Sequence, residues 1–328
     1  MNFNTWARKA RLLAGVTALA LAPLASAQAA YPERAIRLLV PFPAGGGGDL
    51  MARGVAQKMG QILNQQIVIE NRGGAAGTIA ADAAAKAAPD GYTLFFGSVS
   101  THAIAPAHYP NLNYDPIKDF VPISRTHVNP RVLVVSNKLP VNSMQELIEL
   151  AKSNPGKLTY ASAGAGSTGH LAGALFAMST GIDMLHIPYK GTAQVLPDLM
   201  EGRVDLTFDS YSVYEGQIAA GNLRALGVAS PERISVLPDT PTVAETVKPG
   251  FDVSNWMGFF APAGVSPEII ATLHKAIEQA MADEELRQQL QRLGIVPGST
   301  TPEQFSELLA QEVPRWEEVV KSALKDSK

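Results

Sequence analysis

Apolar runs of five to seven residues alternate with longer stretches whose apolar positions recur every three or four residues, the two periods of strand and helix. From residue 36 they predict a strand at 36–42, a helix over about 50–63, a strand at 66–70, a helix over about 78–87 and a strand at 93–97. Such strand-helix alternation implies a parallel sheet covered by helices on both faces. The next stretch, 102–125, carries Pro106, Pro110, Pro116 and Pro122 and reads as long loops. A second series then begins with a strand at 132–136 and a helix opened by the capping box Ser143 and Glu146. It continues through strands at 158–162, 184–187, 204–208 and 224–228, with helices near 193–200 and 213–220. After a proline-rich passage at 231–249 come a strand near 256–261 and long amphipathic helices that start at Ser266-Pro267 and Thr301-Pro302. The terminal helices have no sheet of their own to cover, so they are expected to return to the first series. That return makes two chain crossings, near 128–132 and 252–257, which together form a hinge.

Two strand-to-helix junctions break the pattern with glycine. The first is Pro41-Phe42-Pro43-Ala44 followed by Gly45, Gly46, Gly47, Gly48 and Asp49; the second runs from Ala163 through Gly164, Gly166, Ser167 and Thr168 to Gly169. Glycine costs backbone entropy and packs nothing, so bare backbone must be required there. An anion supplies the reason: free N–H groups and the positive end of the helix dipole point toward the same place.

Composition narrows the chemistry. Residues 1–30 carry Arg8, Lys9 and Arg11, an apolar segment and the small-residue site Ala25-Ser26-Ala27, the pattern of a cleaved secretory signal. The chain has no cysteine, which excludes disulfides, thiolate ligands and thiol catalysis. Beyond residue 30 there are 24 basic against 30 acidic residues, which argues against nucleic acid as a partner and leaves any anion to be held by local dipoles. The second junction matches G-x-G-x-x-G with Asp183 downstream, but an exported chain meets few nicotinamide cofactors. Neither loop is followed by the lysine of a phosphate-binding P-loop, and the six histidines never take a metal-ligating spacing, so neither cofactor nor metal is expected. A hydrolase using Ser162 or Ser167 lacks the first glycine of the nucleophile elbow. Asp209, at the end of a strand, is read either as a helix cap or as a ligand contact.

Whole stretches resemble one family: Ile36 to Gly46, Val68 to Arg72, Ala88 to Leu94, His102 to Ile104, Tyr160 to Gly164, His186 to Gly191 and Leu237 to Glu245. In these the chain is similar to the Bug family, the extracytoplasmic receptors of tripartite tricarboxylate transporters. The resemblance implies an α/β, two-lobed periplasmic-binding fold of type II (Venus flytrap), hinged on two crossing strands. It also implies no catalysis. Lobe 1 is expected over 31–130 and 256–328, and lobe 2 over 131–255. The implied ligand is a small organic carboxylate and the implied partner a membrane permease, with the receptor itself a periplasmic monomer. A receptor of the same fold that signals to a sensor kinase is the alternative. The implied ligand-binding positions are Phe42, Ala44, Gly45, Ser162, Ala163, Ser167, Thr168 and Gly169, with Ser98 and Asp209 as further candidates. Because the two loops hold no Arg or Lys, recognition is expected to rest on helix ends and dipoles rather than an arginine clamp.

Overall fold

The computed structural model describes residues 31–45, 47–109 and 111–325, and the predicted signal segment 1–30 lies outside the described residues. The first lobe opens with β1 (Ile36–Val40), α1 (Gly47–Leu63), β2 (Ile67–Asn71), α2 (Thr78–Ala85) and β3 (Thr93–Ser98). A π-helical turn over Ser100–Ile104 and the short α3 (Ala105–His108) precede the long strand β4 (Phe120–Asn129). The chain then forms β5 (Arg131–Ser136), α4 (Met144–Ser153), β6 (Thr159–Ser162), α5 (Thr168–Thr180), β7 (Leu185–Pro188) and α6 (Val195–Met200). Next come β8 (Leu206–Ser210), α7 (Tyr211–Ala219), β9 (Leu223–Val228) and α8 (Val243–Thr246). The return is β10 (Asn255–Pro262), α9 (Pro267–Met281), α10 (Glu284–Arg292), β11 (Val296–Pro297) and α11 (Pro302–Lys325).

The strands assort into two sheets, a six-stranded one in the order β11-β4-β10-β3-β1-β2 and a five-stranded one in the order β7-β6-β8-β5-β9. Only part of each is parallel. β1 runs parallel to β2 and β3, and β6 to β7 and β8, as the strand-helix alternation requires. β10, however, is antiparallel to β3 and β4, and β5 is antiparallel to β8 and β9. Both β5 and β10 enter their sheet from the other lobe, so no crossover helix dictates their direction.

The segment 102–125, expected to be all loop, instead holds the end of the π-helical turn, α3 and the first half of β4, which Pro122 hides. The proline is accommodated where the pairing of β4 with β10 shifts register, between Phe259 and Phe260. Pro130 alone separates β4 from β5, so the chain passes from one sheet to the other within a single residue. The return strand lies alongside: Asn255 of β10 pairs with Asn129 of β4, and Val253 N–H donates to the Ala229 carbonyl over 3.0 Å. These are the two crossings that the pattern predicts.

From Arg34 onward the chain forms one compact unit. One apolar core runs through both sheets, with Phe95, Phe120 and Phe260 on one side, Leu133, Phe176 and Phe208 on the other, and α11 adding Trp316. The terminal helices do return to the first sheet: α9 packs on α1 and β4, and α11 on β4 and the Ser100–Ile104 turn. Glu312 is buried there and accepts from two indole N–H groups, Trp316 at 2.8 Å and Trp256 at 3.3 Å.

Candidate functional site

A cavity of about 410 Å³ opens where the two glycine junctions face each other across the crossing strands. The first junction contributes Phe42, Gly47 and Gly48; the second contributes Ala163, Ser167, Thr168 and Gly169. Asn129, Arg131, Asp209, Ser210 and Asn255 come from the strands between, and Leu50, Leu293 and Ile295 are among the remaining wall residues.

In the first junction the chain itself supplies the anion. Asp49, in the first turn of α1 and 1% exposed, accepts from Gly45 N–H at 2.8 Å, Arg53 Nε at 2.8 Å and Asn71 Nδ2 at 2.7 Å. Burial pulls its pKa upward, but the bonds from Arg53, Asn71 and Gly45 outweigh it and hold the carboxylate below its usual range. Gly45 turns the chain at φ +78°, whereas Gly48 leaves room for the Phe42 ring, whose Cδ2 lies 2.4 Å from where a Cβ would stand. Gly47 meets nothing within 4 Å and lines the cavity.

In the second junction Ser167 caps α5, its Oγ accepting from His170 N–H at 3.3 Å. The N–H groups of Thr168 and Gly169 have no partner among the described residues. Gly169 lets α5 lie directly on β8, since a Cβ there would sit 2.5 Å from the Phe208 carbonyl oxygen. Behind the loop, Gly166 N–H donates to His170 Nδ1 at 3.1 Å, which places that ring's proton on Nε2. His170 stacks on His186 with centroids 4.0 Å apart, and His186 Nε2 lies 2.7 Å from Ser162 Oγ. Burial, then the neighbouring His170, push the His186 pKa down to about 4, so this brace is neutral at ordinary pH.

Of the positions expected to touch ligand, Phe42, Ala163, Ser167, Thr168, Gly169 and Asp209 line the cavity. Ala44, Gly45, Ser98 and Ser162 are not among its lining residues. Gly45 is exposed with its N–H turned to Asp49; Ser162 braces the loop through Gly164 and His186. Ser98, 1% exposed, ends β3, and its N–H donates to Thr101 Oγ1 at 3.0 Å. Asp209 does not cap α7; its Oδ1 accepts from Ser210 N–H at 2.8 Å and from Arg131 Nη1 at 3.3 Å.

Arg131 is the residue that the loop-based reading misses. It is 7% exposed, lines the cavity, and donates to Thr168 Oγ1 at 3.1 Å and Ser210 Oγ at 2.5 Å. Burial lowers its pKa while Asp209 acts in the opposite direction, and a guanidinium stays charged in either case. The site therefore holds a cation, though outside the loops. The signal was an arginine at the head of a strand whose other residues are apolar or small and wholly buried. Among the described residues no group of His, Asp and Glu side chains could hold a metal.

Residues 51–324 match the sequence profile of the family described as "Tripartite tricarboxylate transporter family receptor". Protein BugT of Bordetella pertussis (strain Tohama I) is 38% identical over 292 residues, covering 89% of this chain and 90% of that one. An R. palustris protein solved with adipate has 37% identity and a TM-score of 0.81, covering 89% of this chain and 98% of its own. MatC of Rhodopseudomonas palustris, solved with bound malate, has 36% identity and a TM-score of 0.77, covering 88% of this chain and 100% of its own.

Proposed function

Because the chain belongs to the receptor family of tripartite tricarboxylate transporters, we propose that it is a periplasmic receptor that captures a small organic carboxylate between two lobes and delivers it to a membrane permease. Lobe 1 comprises 31–130 and 256–328, lobe 2 comprises 131–255, and the segment 1–30 is removed on export. The receptor works as a monomer, without cofactor. The observation that carries the reading is the start of α5 on the cleft: two unpartnered N–H groups and the Thr168 hydroxyl face a 410 Å³ space between the sheets. Such an arrangement holds an anion and offers it no chemistry. The relatives solved with adipate and malate hold carboxylates of different length, which supports a carboxylate ligand here.

A thermal-shift screen of mono-, di- and aromatic carboxylates tests the reading. A true ligand at 100 times its dissociation constant adds about 2.7 kcal/mol of stability. If no carboxylate raises the melting temperature, the proposal fails.

Gly47→Val tests the location of the ligand. A Cβ added at Gly47 meets nothing within 4 Å beyond its chain neighbours, and Gly47 lines the cleft, so there is space for a side chain there. We expect a melting temperature near that of the wild type and an affinity for the best carboxylate lowered at least tenfold, about 1.4 kcal/mol. Undiminished affinity would place the ligand elsewhere.

A further inference from the structure

We propose that Arg131 converts the hydroxyls of Thr168 and Ser210 into a donor pair for one carboxylate, so that the second-lobe wall of the cleft accepts only a group that does not itself donate. The inference rests on the carboxylate-receptor reading and assigns the seat within it.

A hydroxyl has two lone pairs and one proton. Ser210 Oγ accepts from Arg131 Nη1 at 2.5 Å and from Asn129 Nδ2 at 3.0 Å, which fills both lone pairs. Its proton has no acceptor among the described residues, and Ser210 lines the cleft. Thr168 Oγ1 accepts from Arg131 Nη2 at 3.1 Å, and its proton is likewise uncommitted beside the cleft. One guanidinium thus fixes both hydroxyls and polarises them as donors. Arg131 Nε is itself buried without a partner, and the N–H groups of Thr168 and Gly169 are free. The start of α5 and Arg131 thus present donors in excess, while the side-chain acceptors left without a partner, Asn129 Oδ1 and Asn255 Oδ1, are buried on the crossing strands. The nearest carboxylate, Asp209, is already held by Arg131 and by Ser210 N–H. A ligand carboxylate supplies the missing acceptors; a primary amide would turn its NH₂ toward donors and leave both unsatisfied.

Arg131 is a positioning residue here, acting through the two hydroxyls. Formate and formamide, the smallest acid and amide of this shape, are the probes, followed by amide chemical shifts on the full mature chain. Formate is expected to move the signals of Thr168, Gly169 and Ser210 and to bind at least tenfold more tightly than formamide. Thr168→Val and Ser210→Ala should each weaken formate roughly tenfold and reduce its preference over formamide, since a hydrogen bond to a charged group is lost. Thr168→Ser, which keeps the hydroxyl, should retain both affinity and preference. Arg131→Lys, which keeps the charge but lacks the two-pronged reach, should lower the preference. If formate moves Gly47 and Gly48 but leaves Thr168 and Ser210 unmoved, the seat is wrong while the receptor reading stands. Wild-type discrimination in Thr168→Val also overturns the seat. No response to formate, together with a negative carboxylate screen, overturns both.

Discussion

Between pH 6.5 and pH 4 His102 and His127 together are expected to cost the protein stability at about 3 kcal/mol per pH unit, on the order of two protons taken up on unfolding. His102 and His127 are 0% and 1% exposed, and burial pushes each pKa down to about 3, with Arg125 adding to the effect at His127. Each ring uses Nδ1 with a neighbouring threonine hydroxyl, Thr101 at 3.0 Å and Thr126 at 2.9 Å, while Nε2 has no partner. A proton on Nε2 would therefore have no acceptor, and His102 lies stacked on Phe260 at 3.8 Å. In the unfolded chain both groups return to about 6.5. The unfolded state alone binds protons between the two pKa values, so acid drives unfolding throughout that window and has no effect through these groups above it. At pH 4.5 the combined loss reaches about 5 kcal/mol, comparable with the whole stability of an ordinary domain. Denaturant unfolding at half-unit pH steps checks this, with histidine ring signals as a second measurement. A stability curve flat from pH 6.5 to 4.5, or ring signals for His102 and His127 that titrate near pH 6.5, would refute it.

Gly169→Val is expected to destabilise the protein by about 3 kcal/mol, the upper end of the usual cost of overpacking. The atom it meets is a backbone carbonyl oxygen, Phe208 O, 2.5 Å from the ideal Cβ position, so no side-chain rotation can relieve the clash. α5 must move away from β8, taking with it the Thr168 hydroxyl and the two free N–H groups. Stability and ligand affinity should fall together, unlike in Gly47→Val, where affinity falls alone. Urea unfolding decides between them: a wild-type midpoint for Gly169→Val would show that the glycine serves only the approach of a ligand.

The contrast between Gly47 and Gly169 shows what glycine-rich junctions conceal. Along the chain the glycines look equivalent, each a demand for bare backbone, and the anion reading treats them alike. In three dimensions their reasons separate into a turn at Gly45, a berth for Phe42 at Gly48, open cleft at Gly47 and helix-on-strand contact at Gly169. Asp49 was visible as the residue ending the first glycine run, but its role as that loop's own anion depends on Asn71, which β2 brings beside it. Likewise, nothing at position 131 relates it to Thr168, 37 residues away, or to Ser210, 79 away.

The sequence alone determined the order of most elements, the two crossings and the two junctions that face the cleft, because strand and helix periods and glycine turns are local properties of the chain. It did not determine strand direction where the chain changes lobes, because no local crossover restricts it there. It hid β4 behind Pro122, since a proline is admissible in a strand only where the partner strand's register shifts, and that is a property of the pair. Which donors remain free for a ligand was decided only by the tertiary structure. A hydrogen-bond donor is available according to what already occupies it, and in this protein Asp49 occupies the first loop while Arg131 supplies protons to the second.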